Sequence, residues 1–349
     1  MKKFHCCLFV ICTAALIYAE EEYNFFMISD PHFGAAKTYC TDPAVPRRFR
    51  TKKNIYRVDK IMHLYKALFA DMAKKSDAKT RFLVEAGDLI EGGTHNEETH
   101  KQVLTDALNL LKSYFKYPIY MVKGNHEAFG MGGANAYQTI LIPEIAKYAG
   151  KQKLDFSNYS IKQGKDLFIF IDYYANAKGL QFLRNTLQEQ KTKPRYVFLV
   201  LHLPLVPTAS YAKEVFGICE LLAQHNGIIL AGHCHQNAVT HFEKDGKNLT
   251  QITVNSFIDV KPVQKMQLTP SLWTLERFHK YCLKRAKNNT AYIEALKNQW
   301  FPAIRDYKNF SGAGYARISV SDQGISVSFQ SVDLSQKPVT IQLVTNKGK

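Results

Sequence analysis

Tryptophan is scarce in this chain, at 2 of 349 residues, and proline is thin at 12. Glycine is also modest, at 19, so collagen-like repetition is excluded. No internal repeat and no low-complexity linker interrupts the sequence. Hydrophobic residues make up 46% and charged residues 22%, which excludes wholesale disorder and coiled coil. Acidic side chains are outnumbered, 30 against 46 Lys and Arg, and the formal net charge is +16. Such a surface favours anionic partners. Zinc-finger, helix-turn-helix and RNA-binding signatures are missing, so nucleic acid is not expected as a specific partner.

Long apolar runs are missing too, with one exception at the N-terminus. Phe4 to Ala19 carries no charge, follows Lys2 and Lys3, and stops at Glu20-Glu21-Glu22. It is short for a bilayer span and reads as a signal peptide over residues 1–19, cut after Ala19. The expectation is an exported protein, periplasmic or extracellular, with no membrane span after signal removal. Large Ile11 before Cys12 argues against a lipoprotein cut. Of the 7 cysteines, Cys40, Cys219, Cys234 and Cys282 would remain, too few for a disulfide framework in a chain this long. Asn158, Asn248, Asn288 and Asn309 each open an N-x-S/T sequon.

The first two-thirds alternates short apolar runs with amphipathic stretches, the pattern of an α/β fold. Strands are expected at Asn24–Ser29, Arg81–Ala86, Pro118–Lys123, Leu167–Ile171, Tyr196–Leu201 and Gly227–Ala231. Helices are expected at Tyr56–Lys74, Glu97–Phe115, Gly179–Glu189 and Val215–His225. The last third reads as two hairpins, around Asp245-Gly246 and Gln323-Gly324, separated by a Lys-rich helical insertion over Leu272–Tyr307. Without a linker, residues 20–349 are expected to form one domain.

The chemistry follows the strands. Their C-terminal ends carry Asp30-Pro31-His32, Gly87-Asp88, Gly124-Asn125-His126-Glu127, His202 and Gly232-His233-Cys234-His235. That edge is where α/β sheets bind ligands. Carboxylates, an amide oxygen and imidazoles make a mixed O/N donor set suited to Mn, Fe or Zn. There are more donors than one tetrahedral ion needs, so two ions are expected. Ions about 3.5–4 Å apart form a clamp for phosphate chemistry.

These five blocks, in this order, closely resemble the calcineurin-like metallophosphoesterase family. The resemblance implies two mixed β-sheets packed face to face with helices outside, an α/β/β/α sandwich. The metal-site core would span 24–240, and C-terminal strands with the helical insertion would fill 241–349. It implies that Asp30, His32 and His235 hold one ion, that Asn125, His202 and His233 hold the other, and that Asp88 bridges them. His126 would be the catalytic residue, donating to the leaving group, with Glu127 orienting it. The implied function is an exported dinuclear-metal phosphoesterase in which metal-bound hydroxide attacks phosphorus. A phosphorylated small molecule or a phosphodiester would be the substrate. The family's purple acid phosphatases place a metal-binding Tyr three residues after the bridging Asp; here that residue is Glu91, which argues against a purple ferric site.

The other reading is a non-catalytic, metal-containing surface or scaffold protein with the same fold. The presence of His126 beside all seven donors disfavours it. His63, His100, His225, His241 and His279 read as structural, and His95, after Gly92-Gly93, as a candidate substrate contact. Cys234 is expected to point away from its neighbours' ligands. Gly130-Met131-Gly132-Gly133 reads as a flexible loop. The stretch Gly34–Asn54, with Lys37, Arg47, Arg48, Arg50, Lys52 and Lys53, reads as a solvated loop, or as a basic flap over a phosphate-bearing substrate.

Overall fold

A strand with no polar alternation has to be covered on both faces, and that requirement sets the architecture. The computed structural model describes residues 22–34, 38, 40–44, 62–151, 154, 158–206, 214–257, 269–270, 275–286 and 289–343. Its strands are β1 (Tyr23–Ile28), β2 (Thr80–Glu85), β3 (Ile119–Met121), β4 (Tyr159–Gln163), β5 (Asp166–Phe170), β6 (Val197–Val200) and β7 (Gly227–Ala231). They continue with β8 (Asn237–Lys244), β9 (Lys247–Thr253), β10 (Thr269–Pro270), β11 (Ile304–Ser311), β12 (Gly314–Ser321), β13 (Gly324–Ser331) and β14 (Val339–Gln342). The first sheet runs β14-β13-β12-β1-β2-β3 and the second β10-β11-β8-β9-β7-β6-β5-β4. Within them β1, β2 and β3 are parallel, as are β5, β6, β7 and β9; the flanking pairs are antiparallel.

The principal helices are α1 (Met62–Lys75), α2 (Glu97–Tyr114), α3 (Ile142–Tyr148), α4 (Ala177–Gln188), α5 (Glu214–Ala223), α6 (Leu275–Ala286) and α7 (Thr290–Ala295). One continuous buried cluster joins α1 and α2 to the first sheet and to the inner face of the second. Phe168 and Phe198 stack at 4.4 Å within the second sheet, and Phe25 of the first meets Phe168 edge-on at 5.4 Å. The outward residues Leu167, Ile169, Val197 and Leu199 pack instead on Leu183 of α4 and Ile218 and Leu222 of α5. The two-residue period of β5 and β6 thus sends rings into the seam and aliphatics to the helices. This is the expected face-to-face pair of mixed sheets with helices outside.

At the strand starts, away from the predicted site, a polar clasp ties the sheets together. Tyr23 of β1 donates to Asp166 of β5 at 2.9 Å. Arg195 donates to both oxygens of the same carboxylate, at 3.0 and 2.6 Å.

Several elements differ from expectation. The insertion is helical only to Ala303; Ile304–Ser311 is β11, paired antiparallel with β8. Among the described residues only two-residue β10 pairs with its other side, Arg305, Asp306 and Lys308 are exposed, and this polar surface imitates a solvated helix. The glycine loop after Phe129 ends at Gly132, with φ 75°, and Gly133 already begins a helical run through Gly133–Ala136 and Tyr137–Leu141 into α3. The signal segment, residues 56–61 of the first expected helix, Asn288 and all six basic residues named in the flap lie outside the described residues. Among the described residues no helix is long and apolar enough to cross a membrane, and no disulfide forms.

Candidate metal centre

The strand ends converge across the seam. From the first sheet come Asp30 and His32 after β1, Asp88 after β2, and Asn125 and His126 after β3. From the second come His202 after β6, and His233 and His235 after β7. Delivering side chains this close to strand ends strains the chain. Asp30, His32, Asp88, His233 and His235 all have φ between 49° and 64°, a region that residues with a Cβ seldom occupy. The glycines of the blocks have a separate cause. A Cβ on Gly124 would lie 2.0 Å from Asp88 Oδ1, one on Gly87 2.6 Å from His202 Nδ1, and one on Gly232 2.6 Å from Asp30 Oδ2. Each glycine lets a backbone pass directly against a donor.

The donors form overlapping groups. Asp30, His32 and His235 each offer an atom within 4.8 Å of the others, and so do Asp88, His202 and His233. His32, Asp88 and His126 make a third group, so His32 and Asp88 each belong to two and together link the first group to the second. His235 Nε2 is 3.1 Å from Asp30 Oδ1 and 3.2 Å from His32 Nε2. His202 Nε2 is 3.2 Å from both Asp88 Oδ2 and His233 Nδ1. Pairs of ring nitrogens this close need a proton or a cation between them.

Backbone carbonyls aim the rings. His202 Nδ1–H donates to Ala86 O at 2.8 Å, leaving Nε2 to face Asp88. His126 Nδ1–H donates to Glu91 O at 2.5 Å, leaving Nε2 3.9 Å from Asp88 Oδ2. Glu91, at the position that argues against a purple site, also sets its carboxylate 3.0 Å from His32 Nδ1 and 3.6 Å from His126 Nδ1. In the sequence this residue shows only as a departure from the family pattern. Glu127 does not orient the His126 ring. It accepts N–H groups from Gly124 at 2.5 Å and Asp88 at 3.2 Å, bracing two strand ends against each other. His100 in turn donates to Glu127 O at 2.8 Å, so this histidine, read as structural, props the block from behind.

The description "Calcineurin-like phosphoesterase" belongs to a family profile that matches residues 23–237. This chain belongs to that family. The match spans all five blocks and identifies a metal-dependent phosphoesterase. Among solved structures, a dimetal phosphatase from Danio rerio aligns with 92% of this chain and 99% of its own, at 14% identity and TM-score 0.58. PhoD aligns with 92% of this chain and 68% of its own, at 11% identity and TM-score 0.50. GAP50, the anchor in the inner membrane complex of Plasmodium, aligns with 94% and 90% at TM-score 0.49. At such identities the likeness is one of fold. No match was found among curated protein sequences.

The charges fit the family's need for two cations. Asp30 and Asp88 are buried, which opposes ionisation, yet the surrounding imidazoles hold both carboxyls below the usual range. Burial also opposes charge on His202, but Asp88 and Asp30 outweigh it and lift its pKa to about 10. Burial, then the charge of His202, pushes His233 down to about 4. In the metal-free protein, Asp30, Asp88 and His202 therefore already form a charged cluster, and ion uptake has to displace the His202 proton. Asn125 Oδ1 is buried and accepts no hydrogen bond, an orphan oxygen that a cation would satisfy.

Other residues singled out in the sequence lie outside the donor groups. His95 is exposed, and neither it nor Cys234 belongs to any of the donor groups among the described residues. Two sequon asparagines serve the fold instead: Asn158 Oδ1 accepts the Asp172 N–H at 2.7 Å, and Asn309, largely buried, donates to Tyr307 at 2.8 Å.

Proposed function

We propose that this chain is an exported phosphoesterase that hydrolyses phosphate mono- or diesters with two ions held by Asp30, His32, Asp88, Asn125, His202, His233 and His235. The observation that carries the reading is the clustering of six of these donors with His126, next in sequence to which Asn125 holds a buried oxygen without a hydrogen bond. Asp30, His32 and His235 take one ion, and Asn125, His202 and His233 the other. Asp88, grouped with His32 on one side and with His202 and His233 on the other, would take both, because a carboxylate has an oxygen for each. When bound, such ions activate water and neutralise phosphoryl charge. The neutral Asn125 oxygen limits the negative charge facing an anionic substrate. With Nδ1–H held by Glu91 O, a charged His126 carries its second proton on Nε2, from which it would donate to a leaving oxygen. Burial works against its charge, but Asp88 and Glu91 outweigh that and raise its pKa.

The test is a substrate panel of aryl phosphates, bis-aryl phosphates, nucleotides and cyclic nucleotides. It is run after reconstitution with Mn, Fe or Zn, and again with chelator. Chelator-sensitive hydrolysis is expected; two bound ions with no turnover on any substrate would return the scaffold reading. His126→Ala should keep both ions and lose about 10²–10⁴-fold on an alkyl ester, and clearly less on a nitrophenyl ester. Export is tested by the mature N-terminus, expected near Glu20; peptide masses covering an intact Met1–Ala19 would contradict it.

A further inference from the structure

The end of β5 lies in the same parallel row as the ends of β6 and β7, which carry His202, His233 and His235. Asp172, Tyr173 and Tyr174 follow this strand. Asp172 is fixed from two sides: its N–H donates to Asn158 Oδ1 at 2.7 Å, and its carboxylate accepts from Lys123 at 3.2 Å. The Tyr174 N–H returns to Asp172 O at 2.8 Å, closing a three-residue turn around Tyr173. Tyr173 sits at φ 59°. A γ-turn with positive φ at its centre is the rare, strained form.

Among the described residues, eight non-glycine residues have positive φ. Five are the proposed ligands already named. Asn226 and Asp245 belong to residue types that tolerate the left-handed region. The eighth is Tyr173, the bulkiest of them and not a proposed ligand, and bulky side chains are genuine outliers there. Strain of this kind persists where surrounding contacts over-determine it, and it clusters at functional sites.

Those contacts point toward the second ion position. Leu203 N–H donates to Tyr173 O at 2.9 Å, pinning the turn to the residue after His202. The Tyr173 ring lies 6.0 Å from the His202 ring, inclined by 29°. Tyr174 meets it edge-on at 4.9 Å and is 40% exposed, so the turn reaches from the His202 ring to the surface. Tyr173 itself is half-buried, and after burial the Asp88 carboxylate is the next influence on its phenol. The phenol remains protonated at neutral pH and is a hydrogen-bond donor.

We propose that Tyr173 is a substrate-binding residue, its hydroxyl donating to a nonbridging phosphoryl oxygen beside the ion position of His202 and His233. The proposal rests on the phosphoesterase reading above. A bond to the charged phosphoryl group present throughout the reaction strengthens binding more than turnover.

The experiment compares wild type with Tyr173→Phe, each reconstituted with Mn, by metal content, calorimetric affinity for inorganic phosphate, and kcat and KM on the best ester. The variant should keep both ions and bind phosphate about tenfold to a hundredfold more weakly, the range for a hydrogen bond to a charged group. KM should rise while kcat stays within a few-fold. Equal phosphate affinity in both proteins overturns the Tyr173 assignment and leaves the phosphoesterase reading standing. Loss of an ion from Tyr173→Phe overturns it too, since the hydroxyl would then be supporting His202. Wild type that holds two ions but neither binds phosphate nor turns over any ester sinks the reading and the Tyr173 assignment together.

Discussion

In both sheets the parallel strands and the antiparallel strands solve different problems. β5 and β7 are buried at every position, whereas β12 and β13 alternate buried and half-buried residues. The parallel ends turn into crowded space. The Asp245-Gly246 hairpin between β8 and β9 turns into open space, with nothing within 4 Å of a Cβ on Gly246. Both kinds of end use left-handed residues, at φ 53° and 70° in the hairpin and 49° to 64° among the donors. The same backbone conformation therefore has two causes. In the hairpin it matches strand twist; at the parallel ends it places a donor.

The sharpest way to break this contrast is Asp88→Asn, which tolerates the left-handed backbone but removes the charge facing both groups. Ion content should fall at both positions and turnover by roughly 10³-fold or more, given several kcal/mol of metal stabilisation at stake. Two retained ions with full turnover would refute the shared position. Next comes Phe168→Ala in the seam, which serves both kinds of strand. It should cost about 3–5 kcal/mol in denaturant unfolding; a cost below about 1 kcal/mol would mean the sheets do not depend on their rings. A paired test follows with Gly124→Ala and Gly246→Ala. The first should weaken metal binding by about 10–100-fold through displaced Asp88. The second should leave metal binding alone and cost about 1 kcal/mol of stability. Equal effects on metal would erase the distinction between crowded and open turns.

The smallest effect concerns Glu127 in chelated protein. Burial, then the charge of Asp88, lifts its pKa from 4.5 to about 7. The folded state thus binds more protons than the unfolded one between those values. Its contribution is fully present below pH 4.5 and is lost as pH rises through about 7. Urea midpoints of Glu127→Gln should show a flatter profile across that window; an unchanged slope would assign the pH dependence elsewhere.

The parallel core was legible in the sequence because its strands are continuous apolar runs and its blocks sit at their ends. The antiparallel margins were less so. β4, with Ser160, Lys162 and Gln163, and β11, with Arg305, Asp306 and Lys308, look solvated because they lie at or near a sheet edge. In the site, the block residues that the structure brings together were visible as residue types at strand ends. The supports were not. Glu91 and His100 act through a backbone carbonyl or a ring hydrogen bond, and neither is a property of residue type. Glu127 was noticed, but its partners are backbone N–H groups from two strands, which no linear spacing reveals.

The placement of donors on both sides of the seam has a thermodynamic consequence. Each proposed ion position takes ligands from both sheets, so a bound ion is a cross-link between them, opposite the clasp of Tyr23, Asp166 and Arg195. An ion that binds only the assembled sandwich adds its binding free energy to folding, about 2.7 kcal/mol at a free concentration a hundred times Kd. Melting temperature then becomes a titration curve for site occupancy. It would report on the metal even where no substrate is known.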